Sequence, residues 1–290
     1  TADASFSGGL GFSLWGSEAQ LATGVEARRE EFEFGGVQVL DGVPLNYTTI
    51  YQAPFDETSD LPKVRRDVNA VYAEMYLPII DTLDVTVAVR HDRYDTFGGT
   101  TNPKYSFKWQ PIESLAFRGA YSTGFKVPEF TKLFAGVNRL DYFGRDLVDP
   151  ASCPSGSVNS SIPGCDLIQP VIITGGKTDL QPEESSQRSI GFVFSPTDNF
   201  NLSLDWWEIE RTNTIRVPNL ATLTANYALF AENWIRDSSG KVTAIDQRYI
   251  NSGGTLTRGV ELDANLSGDL AGGRWHVNLN GSYIDTFKEK

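Results

Sequence analysis

The chain of 290 residues is rich in glycine and aromatic residues and carries more acidic than basic groups. Its 27 Gly, 17 Phe, 11 Tyr and 6 Trp favour strands and turns over helices. The formal charge of -12 argues against a nucleic-acid partner, which requires a basic face to neutralise phosphates. No run of about 18 apolar residues is present, so no transmembrane helix is predicted.

Strands are predicted in the first half of the chain wherever apolar and polar residues alternate. The predicted strands cover residues 6–15, 21–34, 68–77, 83–90, 103–109 and 115–122. The first 20 residues are glycine-rich, so the strand at 6–15 has the weakest pattern. A polar, proline-containing connection follows the second strand, to about residue 62.

The second half contains the clearest hairpin, at residues 179–215, with a turn at 196–199. The apolar faces of its two strands are formed by Ile190, Phe192 and Phe194 and by Phe200, Leu202, Leu204 and Trp206. Before it, residues 124–178 show no regular pattern, and a loop of that length is predicted to be functional or to cover surface. After it, residues 216–254 contain a candidate hairpin around 238–240, and further strands are predicted at 256–266 and 275–283.

The predicted connections are of two kinds, which alternate along the chain. The tight ones are 78–82, 110–113, 196–199 and 268–273, and the longer ones are 35–62, 94–101, 124–178 and 215–254. Successive strands therefore run up and down, with the tight turns at one end and most long loops at the other. A soluble sandwich or propeller has no reason to sort its loops in this way.

The faces opposite the apolar ones carry charged residues. They are Asp84, Arg90, Lys104, Lys108, Arg118, Asp205, Glu261 and Asp263. A dry core cannot hold unpaired charges, whereas a wide lumen containing water or a polar plug can. The larger aromatics are interpreted as an interfacial girdle, with ligand binding as the alternative. These aromatics are Trp109, Trp206, Trp207, Trp275 and Tyr283.

Several segments resemble, in the family's order, the barrel of a TonB-dependent outer-membrane receptor. They are NPKYSFKWQP at 102–111, LAFRGAYSTGFKVPEFTKLF at 115–134, DLQPEESSQRSIGFVFSP at 179–196, LSLDWWEIERTNTI at 202–215 and TRGVELDANLS at 257–267. One departure is Lys126-Val127, where the family usually has Arg-Ala before the proline. No single motif is decisive, and the ordered set carries the resemblance.

The resemblance implies an all-β fold, an antiparallel transmembrane β-barrel with short periplasmic turns and long extracellular loops, in the outer membrane of a Gram-negative bacterium. Family barrels have about 22 strands around an N-terminal plug, and about ten strands and no plug are found here. Residues 1–290 are therefore interpreted as an internal part of the barrel. Open edges in hydrocarbon would make such a part unstable alone.

The resemblance also implies active uptake of a scarce ligand, such as a ferric siderophore, cobalamin or an oligosaccharide. The implied partners are outer-membrane lipid, the small-molecule or metal-chelate ligand and, through the plug, TonB, ExbB and ExbD. Two alternatives stay open at this point: a passive porin-like barrel without TonB coupling, and a secreted β-rich binding protein or enzyme.

Cys153 and Cys165, the two cysteines, lie in the longest loop, and an extracellular loop implies a disulfide between them. The inward charges Lys104, Lys108, Arg118, Asp205, Glu261 and Asp263 are interpreted as plug contacts or mutual ion pairs. Tyr142, Arg145 and Asp146 are the candidate ligand contacts.

No catalytic, cofactor or metal residue is predicted. The segment 175–178 lacks the first glycine of a phosphate loop, since Val171 stands there, and no G-x-S-x-G motif is present. The two histidines, His91 and His276, are distant in sequence from both cysteines.

Overall fold

Ten long strands form one large antiparallel sheet in the computed structural model, which describes residues 1–34, 39–40, 43–44 and 61–289. The strands are β1 (Ala2–Ser13), β2 (Glu18–Phe34), β3 (Leu61–Ile80), β4 (Leu83–Tyr94), β5 (Gly98–Ile112), β6 (Leu115–Lys126), β7 (Glu183–Thr197), β8 (Phe200–Thr212), β9 (Gly254–Leu270) and β10 (Gly273–Glu289). Their order in the sheet is their order in the chain, so the sheet is an up-and-down meander. The predicted all-β class and the ten antiparallel strands are confirmed.

The sheet is open within the described residues, because β1 and β10 stand at its two edges. Side chains along both edge strands are largely exposed, including Phe6 and Tyr283. No helix in the described part of the chain is long and apolar enough to span a membrane.

In the hairpin β7–β8, successive side chains alternate between the two faces of the sheet. Its register pairs Phe192 with Leu204 and Ile190 with Trp206. Directly opposed residues lie on the same side of a sheet, so the predicted apolar face is continuous across the hairpin. It extends into β9, where Val260 is opposite Trp206.

Tight turns join the strands at one end of the sheet, at residues 14–17, 81–82, 113–114, 198–199 and 271–272. Ala271 and Gly272 both have positive φ, at 52° and 82°, as a two-residue hairpin turn of type I′ requires. The turn at 14–17 was not predicted. The four tight connections that the alternation predicts are all present.

The predicted longer connection at 94–101 is wrong. β4 and β5 stay paired as far as Tyr94 and Gly98, which leaves only residues 95–97 between them. The glycines at the start of β5 broke the sequence pattern without ending the strand. The connection predicted at 35–62 falls mostly outside the described residues, apart from Val39–Leu40 paired with Val43–Pro44. Its predicted end is two residues too late, because β3 begins at Leu61.

Two connections at the other end of the sheet, residues 127–182 and 213–253, fold together, and we call them the loop module. It contains the helices α1 (Phe130–Phe134) and α2 (Leu220–Ala225) and a 3-10 helix (Ala231–Asn233). Four short strands form its sheet, in the order Trp234–Arg236, Val242–Asp246, Val171–Thr174 and Asn138–Asp141. Ile215–Arg216 and Ile250–Asn251 pair separately.

The loop module corrects one expectation and confirms another. Residues 124–178 are not irregular throughout, because β6 continues to Lys126 and Val171–Thr174 is a strand. That strand pairs in parallel with Val242–Asp246 of the other loop. Its side chains are buried or half-buried on both faces, so no local alternation marks it. The hairpin predicted around 238–240 is confirmed, since Trp234–Arg236 pairs antiparallel with Val242–Asp246.

A compact apolar core lies in the loop module. Its buried members are Leu147, Leu223, Trp234, Val242 and Ile245, drawn from both loops. The large sheet is a single layer, and its apolar face remains exposed. Such a face requires an apolar covering.

Candidate functional site

One side of the large sheet, which we call the polar face, carries a row of charged side chains. The register aligns Asp84 with Lys108, Lys108 with Arg118, and Asp205 with Glu261 on neighbouring strands. Because opposed residues lie on one side of a sheet, five of the charges singled out by sequence lie together.

Arg118 and Asp205 form an ion pair that crosses an intervening strand, and we call it the polar-face bridge. Arg118 Nε donates to Asp205 Oδ1 at 2.8 Å, and Nη2 donates to Oδ2 at 2.6 Å. Gly191 of β7 lies between them in the register. A Cβ on Gly191 would overlap the Asp205 carboxylate, so the glycine leaves room for the bridge.

The remaining predicted charges, Arg90, Lys104 and Asp263, lie an even number of residues along their strands from the row and therefore on the same face. Asp263 accepts a hydrogen bond from Asn265 Nδ2 at 2.5 Å. Within the described part of the chain, Lys104, Lys108 and Glu261 have no ion-pair partner. These three charges are therefore available to another polypeptide or to solvent.

A denser charge cluster on the polar face involves β2, β3 and β4. Its members are Glu26, Arg28, Glu30, Arg66, Arg90 and Asp92. Sequence reasoning identified only Arg90 among them. Glu26 and Arg28 were assigned to the polar side of a strand without a role, and Arg66 lay outside the predicted strand 68–77, which in fact begins at Leu61.

Trp207 is not part of an outward girdle, which corrects the sequence interpretation. Successive residues of a strand point to opposite sides, so Trp206 and Trp207 cannot both lie on the apolar face. Trp207 shares its side with Asp205 and lines a cleft of 580 Å³ together with Arg118 and Glu261. The indole nitrogen of Trp207 is buried without a hydrogen-bond partner among the described residues.

The two loops of the module are joined by one buried ion pair. Arg236 Nη1 donates to Asp149 Oδ2 at 2.7 Å, and Nη2 donates to Oδ1 at 2.8 Å. Asp149 is 5% exposed and also accepts from the backbone N–H of Ala151 at 3.0 Å. The Tyr227 hydroxyl accepts from Arg236 Nη2 at 3.1 Å. Bidentate geometry of this kind fixes both partners in orientation.

Charge interactions shift the pKa values of these groups. Hydrogen bonds from the Arg236 guanidinium hold the pKa of Asp149 below its usual range, although burial acts in the opposite direction. Asp149 in turn raises the pKa of Arg236. The pair is therefore charged across the physiological range.

Cys153 and Cys165 are joined by a disulfide, with sulfur atoms 2.10 Å and Cα atoms 5.0 Å apart. Both are buried and contact Val148, which neighbours Asp149. The backbone N–H of Cys153 donates to the carbonyl oxygen of Asp149 at 2.7 Å. The disulfide-closed segment thus supports the residue that joins the two loops.

The three candidate ligand contacts lie close together on one loop of the module. Tyr142 packs against the module core, and its hydroxyl donates to Asp146 Oδ1 at 2.5 Å. This hydrogen bond raises the pKa of Tyr142. Arg145 is exposed. The structure therefore brings the side chains of Tyr142 and Asp146 into contact and leaves Arg145 facing solvent.

Sequence reasoning missed a second group of polar and aromatic side chains, near the base of the module. Lys132 Nζ lies 6.0 Å from the ring centroid of Tyr249. Arg248 Nη2 is 2.7 Å from Asp246 Oδ2, and the backbone N–H of Lys177 donates to the carbonyl oxygen of Lys132 at 2.9 Å. These residues come from both loops, so no local motif could have predicted the group.

The sheet has its tight turns at one end and the folded loop module at the other, and one of its faces is charged. These features are expected of a receptor barrel. The family described as TonB dependent receptor-like, beta-barrel matches residues 1–290. The chain belongs to the TonB-dependent receptor β-barrel family. The predicted family is thereby confirmed, and the open ten-stranded sheet of this TonB-dependent receptor chain is part of such a barrel.

Solved receptors share this fold. The siderophore receptor PirA from Acinetobacter baumannii is 18% identical with a TM-score of 0.64, and the match covers 99% of this chain and 37% of that one. A variant of the ferric enterobactin receptor PfeA from Pseudomonas aeruginosa, in complex with enterobactin, is 16% identical with a TM-score of 0.63, covering 97% and 35%. The TonB-dependent receptor chain thus spans little more than a third of their length. No match was found among curated protein sequences.

Proposed function

We propose that this TonB-dependent receptor chain belongs to an outer-membrane transporter that takes up a ferric siderophore. The observation that carries the proposal is family membership over residues 1–290, together with a sheet in which the apolar residues of the central strands lie opposite a row of charged ones. The solved neighbours named as siderophore and ferric enterobactin receptors support the ligand class.

The two faces of the sheet suit a barrel wall. The apolar face, with Leu204 and Phe192 at its centre, would meet outer-membrane lipid, and the polar face would line the lumen. Ten strands are fewer than the 22 or so that enclose a plugged lumen, so these strands would form part of a larger wall.

Charges on the polar face would contact a plug. Lys104, Lys108 and Glu261 lack ion-pair partners within the described residues, and a polar plug segment would supply them. Through that plug, TonB, ExbB and ExbD would transmit the energy for release of the ligand into the periplasm. A passive porin would need no such contact.

The loop module would capture the ligand outside the cell. Near its base, Lys132 Nζ lies 6.0 Å from the ring centroid of Tyr249, and a cation beside an aromatic ring suits an anionic aromatic chelate. Tyr142, Arg145 and Asp146 would make further contacts on the outer surface. The proposed transport changes no covalent bond of the ligand.

Uptake of radioactive iron tests the proposal. Cells carrying the intact gene product would be given ferric catecholate, ferric hydroxamate and labelled cobalamin in parallel. We expect accumulation of one ferric siderophore that stops when a protonophore is added or TonB is deleted. Passive equilibration that is indifferent to TonB would favour the porin, and recovery of the native protein in the soluble fraction would favour the secreted binding protein.

A further inference from the structure

Arg66 is a buried arginine on the polar face, near the loop-bearing end of β3. The residue is 6% exposed. Its Nε donates to Glu30 Oε2 on β2 at 2.9 Å, and its Nη1 donates to the carbonyl oxygen of Pro128 at 3.0 Å. Pro128 lies 62 residues further along the chain, at the start of the loop module. A side chain of the sheet therefore holds the backbone of an outer loop.

Aromatic rings surround the Arg66 guanidinium. Its Cζ lies 4.7 Å from the ring centroid of Phe130, and the corresponding distances are 5.6 Å for Tyr94 and 5.9 Å for Phe97. Phe130, in α1, also stacks on Phe32 of β2 at 6.3 Å. Cation–π contacts contribute most where the cation is desolvated, as it is here.

A chain of ion pairs on the polar face supports this arrangement. Glu30 is 2.9 Å from Arg28 Nε, and Glu26 lies between Arg28 and Arg90 at 2.9 Å and 2.8 Å. The network fixes the carboxylate of Glu30, and Glu30 in turn directs the Arg66 guanidinium toward Pro128.

We propose that Arg66 is a positioning residue that fixes the foot of the outer loop, residues 127–137, against the mouth of the lumen. Lys132 lies in this foot, so Arg66 sets where that cation stands relative to Tyr249. The link to a ligand entrance rests on the proposed function, whereas the ordering of the foot does not.

Hydrogen exchange of the intact protein tests the proposal without any ligand. The amides of Leu133 and Ala135 donate hydrogen bonds inside the foot and report its opening. In Arg66→Gln we expect both amides to exchange about tenfold faster, because the cation–π contacts are lost and the bond to Pro128 is weakened. The matched control is Arg29→Gln. Arg29 is paired with a carboxylate on β3 at 2.7 Å, on the opposite side of the same two strands.

The control variant should leave exchange in the foot within about twofold, because the exposed Arg29 side chain is paired with Asp67 and, among the described residues, does not contact the foot. Equal acceleration in both, or no acceleration in Arg66→Gln, overturns the proposal. If Arg66→Gln does not fold, Arg66→Lys keeps the charge and should give intermediate exchange, and exchange equal to the unmodified protein would overturn the proposal.

A charge swap separates positioning from simple pairing. The double variant E30R/R66E restores an ion pair between β2 and β3 but removes the arginine from Pro128 and the rings. We expect the foot to remain fast-exchanging in this variant. Full recovery of protection would show that pairing alone orders the foot. Because exchange needs no ligand, failure of the siderophore assignment would leave this result unaffected.

Discussion

Arg236→Gln is the sharpest perturbation of the loop module, because it removes one partner of its buried ion pair. Asp149 is 5% exposed, and its carboxylate would lose hydrogen bonds of 2.7 Å and 2.8 Å from the guanidinium. Loss of a hydrogen bond to a charged group costs about 1.5 to 3 kcal/mol. The neighbouring N–H of Ala151 still stabilises the charge and Arg236 is partly exposed, so we expect a loss of about 2 to 3 kcal/mol.

Hydrogen exchange measures this loss as faster opening of the module. At roughly 1.4 kcal/mol per factor of ten, amides of Val171–Thr174 and of Ile168 should exchange about 30 to 150 times faster. Arg248→Gln is the matched control, since the side chain of Arg248 is similarly exposed and its partner Asp246 is in the same loop. The control should change exchange less than about threefold.

The pH dependence follows from the pKa of Asp149, which is lowered in the folded protein. A lowered pKa contributes stability that is complete above the unfolded value of about 3.9 and is lost as pH falls through the folded pKa. The difference between Arg236→Gln and the unmodified protein should therefore be constant from neutral pH to about pH 5 and shrink below about pH 4. Equal acceleration in Arg236→Gln and the Arg248→Gln control would refute the joining role of the ion pair.

Further predictions address the disulfide and the two faces of the sheet. Reducing the module's disulfide should speed hydrogen exchange of the amides in residues 149–165. On the chain-entropy argument, closing a loop of this size stabilises the folded segment by roughly 3 kcal/mol. Unchanged exchange would contradict this prediction. Gly191→Ala should lower the yield of heat-modifiable folded barrel by disrupting the polar-face bridge, whereas Gly281→Ala, with open space around the added Cβ, should not. Leu204→Arg should make membrane insertion less favourable by about 2 to 4 kcal/mol, whereas Ser203→Arg, on the other face, should be tolerated. Equal insertion of the two variants would show that the apolar face does not contact lipid.

The wall of the barrel is well predicted from sequence because its signal is local. Period-2 alternation in β8 assigns Leu204 and Asp205 to opposite faces without knowledge of any partner strand. The pairing of Asp205 with Arg118 could not be predicted in the same way, because the two residues are 87 apart in sequence and meet only through the register of three strands. The error at Trp207 came from treating two adjacent tryptophans as one girdle.

The loop module and the Arg66 cluster could not be predicted because their partners are distant in sequence. Val171–Thr174 pairs with a strand of another loop and is buried or half-buried on both faces, which leaves no alternating pattern. Arg66 lies in a charged stretch that interrupts the apolar pattern of β3, so the strand was predicted to begin at residue 68 although it begins at Leu61. Polar strand ends of this kind have a composition similar to that of loops.

Cysteine labelling in intact cells tests the central claim most directly, that the sheet crosses the outer membrane with the loop module outside. Ser239 lies in the exposed hairpin of the module, and Asp198 lies in the tight turn between β7 and β8, so each is replaced by cysteine in turn. A membrane-impermeant maleimide should label Ser239→Cys in intact cells and Asp198→Cys only after the outer membrane is permeabilised. Labelling of Asp198→Cys in intact cells, or protection of Ser239→Cys, would contradict the account.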